Sequence, residues 1–256
     1  MFAFLLATQS CKKDPALKNQ PTFETANSQS EDDATITDSS LLCYFPFNGN
    51  LRDKSGHGNN GKLIGSVSFV SDRFGNASRA ASFSASNSYI EIPEAQFVGL
   101  KTMTISMDFF LTSTNHQELI SKMSYDAPFD SPDWYQSFTA GVEANGILDF
   151  DVRQESFCNS SDGSGWNPPL FANTAVTYNA WNHIAITFND NIQKIYLNGN
   201  LVATDVKTSS PICQGGPIRL AVWWQVDPVY FTGNMDEVRI FSRVLSAKEI
   251  KKLSTL

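Results

Sequence analysis

The stretch "TMTISMDFFL" (102–111) places Met103, Ile105, Met107, Phe109 and Leu111 at every second position. Side chains alternate across a strand with period 2, so this run builds one apolar face as a strand. As a helix, with period 3.6, it could not. The pattern returns along the chain. In "WNHIAITF" (181–188) the apolar set is Ile184, Ile186 and Phe188. In "GILDFDVRQE" (146–155) it is Leu148, Phe150 and Val152, with Asp149, Asp151 and Arg153 opposite. In "PIRLAVWWQ" (217–225) Ile218, Leu220, Val222 and Trp224 alternate with Arg219, Ala221 and Trp223. "YLNGNLVA" reads as a hairpin turning at Asn198-Gly199. Alternation recurs from 41 to 241 with no βαβ rhythm. The expected fold is therefore all-β, a two-sheet antiparallel β-sandwich.

The punctuation changes only at the end, in "GNMDEVRIFSRVLSAKEIKKL" (233–253). Val238, Ile240 and Phe241 read as a last strand. Ser246 and Glu249 then have the spacing of a capping box, and Leu245 can staple Ile250. Lys251 and Lys252 sit where the helix dipole favours cations. A short C-terminal helix is expected to close the β-domain.

Charged residues are 18% of the chain, 19 residues are Phe, and the net charge is −7. A charge-poor, aromatic-rich chain suits a thick apolar interior. An acidic chain without a basic stripe is unsuited to neutralising phosphates, so nucleic acid is excluded as a partner. No run of about 18 apolar residues exists to cross a membrane as a helix.

The opening "MFAFLLATQSCKKD" pairs a short apolar run, Phe2 to Ala7, with Cys11. It resembles a bacterial lipoprotein signal of the Bacteroidetes type, in which the cysteine is lipidated and becomes the new N-terminus. Two features depart from that pattern: no Lys or Arg precedes the apolar run, and Thr8 stands where Leu is usual. The resemblance implies an exported, surface or outer-membrane lipoprotein that touches the membrane only through Cys11. Residues 12–38 hold almost no large apolar groups and read as a disordered tether to a domain at 39–256.

Cys43, inside "LLCYFPF", is expected to be a small buried thiol. Cys158 and Cys213 lie in polar loops, and in an exported protein they are expected to pair. His57, His116 and His183 are scattered and define no zinc signature.

Four stretches in order carry a family resemblance: "YFPFNGNLRDKSGHGNNGKLIG", "DRFGNASRAASFSASNSYIEI", "WNHIAITFNDNIQKIYLNGNLVA" and "FTGNMDEVRIFSRVLSAKEIKKL". Together they resemble the laminin-G-like jelly rolls of the concanavalin A-like lectin and glucanase superfamily, across roughly 41–253. The resemblance implies that the first and last strands lie side by side. It also implies that Trp181 is a core residue, and that a structural Ca2+ is held by Asp236, Asp53 and Asn48. Calcium takes six to eight hard oxygens on a flexible loop, and the alternative is that Asp236 caps its strand and Asp53 forms an Asx-turn.

Sugar sites need aromatic faces and planar polar groups. Trp223, Trp134, Tyr135 and Trp166 are the candidate aromatics, with Arg219, Asp149, Asp151 and Arg153 as polar partners. Superfamily glucanases place acids as Glu-x-Asp-x-x-Glu on one strand. Here "LDFDVRQE" offers Asp149, Asp151 and Glu155, with the wrong first residue and the wrong last spacing. The sequence thus points to a non-catalytic carbohydrate-binding module. A protein-binding or adhesion module is the alternative, and a glycoside hydrolase the third reading.

Overall fold

The computed structural model describes residues 38–84, 87–123, 136–153, 168–189, 191–207, 211–223 and 228–256. Its strands, in chain order, begin with β1 (Leu41–Phe45), β2 (Lys62–Ile64), β3 (Ser68–Val70), β4 (Ala80–Phe83) and β5 (Tyr89–Ile92). The middle of the chain forms β6 (Met103–Leu111), β7 (Gln117–Met123), β8 (Gln136–Val142), β9 (Ile147–Val152) and β10 (Leu170–Ala175). Then come β11 (Trp181–Phe188), β12 (Ile192–Leu197), β13 (Asn200–Val206), β14 (Ile218–Leu220) and β15 (Gly233–Phe241), and the helix α1 (Ala247–Leu253).

All strand pairings among the described residues are antiparallel. Sheet A runs β13–β12–β11–β6–β15–β4–β3, with β1 also on β15. Sheet B runs β10–β9–β8–β7–β14–β5–β2. The expected sandwich forms. The first and last strands lie side by side, with Phe45 opposite Val238 and Tyr44 opposite Arg239.

One strand serves two partners through a bulge. Residues Gly233 to Met235 of β15 pair with β4, and residues from Val238 onward pair with β1. Between them the register shifts, and Glu237 takes a left-handed φ of 53°. An extra residue bends the strand and re-aims the residues after it. At the strand's start the backbones of β15 and β6 come so close that a Cβ at Gly233 would lie 2.0 Å from the Phe110 carbonyl oxygen.

The core lies between the sheets. Met103, Ile105, Met107, Phe109 and Leu111 meet Phe138, Leu148, Phe150, Val152, Ile218 and Leu220 from the other layer. Phe188 of sheet A packs on Phe150 and Phe138 of sheet B, at centroid distances of 5.8 and 6.5 Å. Each fully buried Phe contributes roughly 1.5–3 kcal/mol. Cys43 is a free, fully buried thiol.

The helix forms as its punctuation predicts. Ser246 Oγ accepts the Glu249 amide, Glu249 returns a bond to the Ser246 amide, and Leu245 and Ile250 are both buried. The hairpin at Asn198-Gly199 has φ of 51° and 75°, the positive pair a tight hairpin turn requires.

Two expectations fail locally. Trp181 is half-buried rather than part of the core. It shares parity with His183, opposite to the core set Ile184, Ile186 and Phe188, and packs edge-on against Phe110 at 5.9 Å. The alternation of "PIRLAVWWQ" stops at Leu220. Ala221 takes φ 72° and turns into the core, so residues after it no longer follow the strand's parity. Trp224 lies outside the described residues, as do 1–37 with the signal segment and nearly all of the tether. Asp38, placed at the tether's end, is fastened to the domain by Arg243 at 2.5 Å.

Candidate functional site

Pairing lines up polar side chains across the outer face of sheet B. One row runs Lys62–Glu91–Arg219–Ser121–Thr139–Asp151 through β2, β5, β14, β7, β8 and β9. A second runs Glu118–Gly141–Asp149–Phe171 through β7, β8, β9 and β10. Arg219, Ser121, Thr139, Asp149 and Asp151 lie opposite the core set of their strands, as period 2 demands, and a register shift in β7 brings Glu118 onto the same row as Asp149.

The first row is knitted together. Arg219 is fully buried and its Nε lies 3.6 Å from Glu91 Oε1, while Lys62 Nζ lies 3.1 Å from the other oxygen of Glu91. Ser121 Oγ donates to the Val222 carbonyl at 2.7 Å, which ties the segment after β14 to β7. That segment carries Trp223, half-buried, whose Nε1 donates to Gln136 Oε1 at 3.3 Å. Gln136 Nε2 donates in turn to Asp151 Oδ2 at 2.8 Å. Trp223, Gln136 and Asp151 thus form one hydrogen-bonded chain on the face that holds Arg219 and Asp149.

The acids at the β7–β9 end of both rows are electrostatically strained. Glu118, Asp149 and Asp151 are 3, 7 and 5% exposed. Burial pushes Glu118 well up, helped by the negative charges of Asp149, Asp151 and Glu143. Burial lifts Asp149 to about 6 against the pull of His116, with Glu143 adding to the rise. Burial lifts Asp151 to about 7, against Lys207 and Arg153. Among the described residues hydrogen bonds do not fill these carboxylates: Glu118 Oε1, Asp149 Oδ1 and Asp151 Oδ1 are buried without a partner.

Of the sequence-predicted residues, Trp223, Arg219, Asp149 and Asp151 converge on this face, and Arg153 comes directly after β9. Trp134, Tyr135, Trp166, Glu155, Cys11 and Cys158 lie outside the described residues. Cys213 is buried, with its amide donating to Ser137 Oγ at 3.2 Å. Glu91, Glu118, Ser121, Gln136 and Thr139 were missed by sequence reasoning. Parity could have found Glu91 in "YIEI", opposite Ile90 and Ile92.

The donor set Asp236, Asp53 and Asn48 does not fit a calcium ion. Asp53 Oδ1 accepts from the Tyr44 and Ser55 amides at 2.9 and 2.8 Å, and Oδ2 from the Ser55 hydroxyl and the Asn59 amide at 2.8 Å each. Those four bonds fill the lone pairs of a carboxylate. Asp53 is the anchor of its own loop, as an Asx-turn would make it. Asn48 is exposed, and its carbonyl accepts the Asn50 side chain. Asp236 sits opposite Asp108 in sheet A, and the charges acting on it are Glu237, Asp108 and Asp72. Burial, with Glu237 next, pushes it up to about 9.

Comparison with known proteins bears on the same fold. Domain 4 of a GH43 extracellular arabinanase from Geobacillus stearothermophilus, in complex with arabinotriose, is 18% identical with a TM-score of 0.60, covering 84% of this chain and 98% of that one. The binding domain of Paraclostridial Mosquitocidal Protein 1 is 17% identical with a TM-score of 0.63, covering 84% of this chain and 52% of that one. The binding domain of Botulinum Neurotoxin DC, in complex with SialylT, is 17% identical with a TM-score of 0.58, covering 84% and 51%. The chain thus spans about half the length of the toxin binding domains it matches. No curated protein matches. The family model Laminin_G_3 matches residues 84–251, and the chain belongs to this family of the Concanavalin A-like lectin/glucanases superfamily.

Proposed function

We propose that the chain is a non-catalytic carbohydrate-binding module, held at the cell surface by a lipid on Cys11. The observation that carries this reading is the outer face of sheet B, where Trp223, Gln136 and Asp151 form one chain beside Arg219. An indole for stacking, with a planar amide and a carboxylate beside it and the buried Arg219 guanidinium beneath them, is the chemistry that takes sugar rings and hydroxyls. Asp149 and Arg153 extend the face, and Trp134, Tyr135 and Trp166 are proposed as further stacking residues. The arabinotriose complex of the arabinanase domain supports a glycan as ligand. A Cys158–Cys213 bridge is proposed to brace one of the loops. The non-catalytic reading is supported by the stretch "LDFDVRQE", whose acids depart from the glucanase order and spacing.

A glycan-array screen of the full chain tests this, run with calcium and with chelator. Wild type is expected to bind one polysaccharide class. Trp223→Ala is expected to weaken it at least about tenfold, or about 1.4 kcal/mol. Unchanged affinity in Trp223→Ala would remove the face from the site. Loss of binding only in chelator would restore a metal requirement.

Protein recognition is the second reading. Phe171 is 50% exposed in the same face's second row, and exposed aromatics anchor protein interfaces. A folded protein that binds no glycan would favour it.

A further inference from the structure

The second row of sheet B ends in a cluster of which the glycan reading uses only Asp149. His116 immediately precedes β7, Glu143 immediately follows β8, and Asp149 stands in β9. Far apart in sequence, they are brought to one end of the sheet by strand pairing. Their ligand atoms, one imidazole nitrogen and one oxygen from each carboxylate, all lie within 4.8 Å of one another. Asp149 Oδ1 is buried, has no hydrogen-bond partner among the described residues, and points over Gly141. A Cβ at Gly141 would stand 3.1 Å from that oxygen and 3.4 Å from Glu118 Oε2. Glycine here keeps open the space into which the two carboxylates converge. The other oxygen of Glu118 is likewise buried without a partner.

The backbone around the cluster is fixed. The Glu143 amide donates to the Ile147 carbonyl at 2.9 Å, and the Gly146 amide donates back to the Glu143 carbonyl at 2.8 Å, closing the β8–β9 turn. Beside His116, Gln117 Nε2 donates to the Ser113 carbonyl at 2.7 Å and its Oε1 accepts the Thr232 amide at 2.6 Å. His116 is exposed and Glu143 half-buried, so both side chains can rotate to close on an ion.

We propose that His116, Glu143 and Asp149, with Glu118 in reserve over Gly141, bind one divalent transition cation of the zinc class. The chemistry selects the ion. Imidazole suits zinc and its neighbours, whereas calcium and magnesium take oxygen ligands alone. Zinc sites in proteins commonly combine His nitrogen with Asp or Glu oxygen at about 2.0–2.2 Å, in four-coordinate geometry. A cation here would offset the negative charge that these carboxylates bring together.

The test is calorimetric titration of the chelator-stripped full chain with Zn2+. One site per chain is expected. His116→Ala and Glu143→Ala, both on accessible side chains, are each expected to weaken it at least tenfold. His57→Ala, at an exposed histidine elsewhere, is expected to leave it unchanged. Zn2+ should also raise the melting temperature of wild type but not of His116→Ala. Equal affinity in wild type and His116→Ala, or a Ca2+ site indifferent to His116, would overturn the proposal. The measurement uses no glycan, so its failure leaves the carbohydrate reading standing.

Discussion

The outer faces of the two sheets carry similar residues and resolve them oppositely. On sheet A, Asp108 meets Arg73 at 3.0 Å, Glu237 pairs with Arg239, and Tyr44 donates to Glu237 beneath the Arg239 guanidinium. Ser106 Oγ meets His183 Nε2 at 2.9 Å. The C-terminal segment closes over this face: Thr104 Oγ1 donates to the Arg243 carbonyl and accepts the Leu245 amide, and Arg73 donates to the Ser254 carbonyl. On sheet B one end is equally well matched, with Glu91 between Lys62 and Arg219. The other end gathers Glu118, Asp149 and Glu143, and among the described residues only His116 acts on Asp149 as a cation. Buried charges are tolerated when paired, and a buried group left unpaired marks either strain or a place for a partner. Among the described residues sheet A also keeps buried atoms without a partner, Asp108 Oδ1 and His183 Nδ1, but it sets Arg73 and Arg239 beside its acids, so its outer face serves the fold. The acidic end of sheet B is where a ligand changes the balance.

The strongest challenge to this contrast is to remove a cation from sheet A. Arg73→Met leaves Asp108, only 1% exposed, without its counter-charge. Breaking a buried pair from one side costs about 3–5 kcal/mol. The expected loss is at the lower end, about 3 kcal/mol at pH 8, because the Arg73 side chain keeps 15% exposure. Urea denaturation measures it. A change below about 0.5 kcal/mol, the range of ordinary surface substitutions, would mean that the pair is ornamental and the two faces are alike.

The contrast was only half legible in the sequence. Alternation found Asp149, Asp151 and Arg219 because each strand keeps its parity against a full core set. It failed at Glu118, where a register shift puts both Leu119 and Ile120 into the core and breaks the period. It failed again at Ala221, where a positive φ turns a residue inward. His116 and Glu143 carry no local signal, since only the pairing of β7, β8 and β9 brings them to Asp149. Asp53 and Asp236 misled for the converse reason. An acid in a glycine-rich loop, as Asp53 is, or beside a strand bulge, as Asp236 is, looks the same in sequence whether it binds an ion or serves its own backbone.

A second test uses pH on sheet A. Burial, then Arg73, Arg239 and Lys251, holds His183 down to about 3. The unfolded histidine takes its proton near 6.5, so between about 6.5 and 3 the unfolded chain binds more protons than the folded one. His183 therefore withdraws stability as pH falls through that window, by at most about 1.4 kcal/mol per unit. The stability of wild type relative to His183→Gln is expected to decline from about pH 6.5 to 4.5 and to be flat from about 7 to 8. Denaturant melts at each pH read the difference. A flat difference throughout would mean that His183 takes up its proton in the folded protein, and that the sheet A face is open to water.

The mildest substitution carries the most information about sheet B. If Glu118 is held among carboxylates with no cation, neutralising it should help rather than harm. Glu118→Gln keeps the shape and removes a charge that burial, Asp149 and Asp151 all disfavour. In metal-free buffer at pH 8 the variant is expected to gain about 1 kcal/mol, which in a domain of this size raises the melting temperature by about 2–4 °C. That sign is opposite to the sign for Arg73→Met, so the two variants together decide whether the faces differ in kind. A loss of stability instead would mean that Glu118 serves the fold as Asp108 does, and that its buried oxygen is strain in the strand rather than a place kept for a ligand.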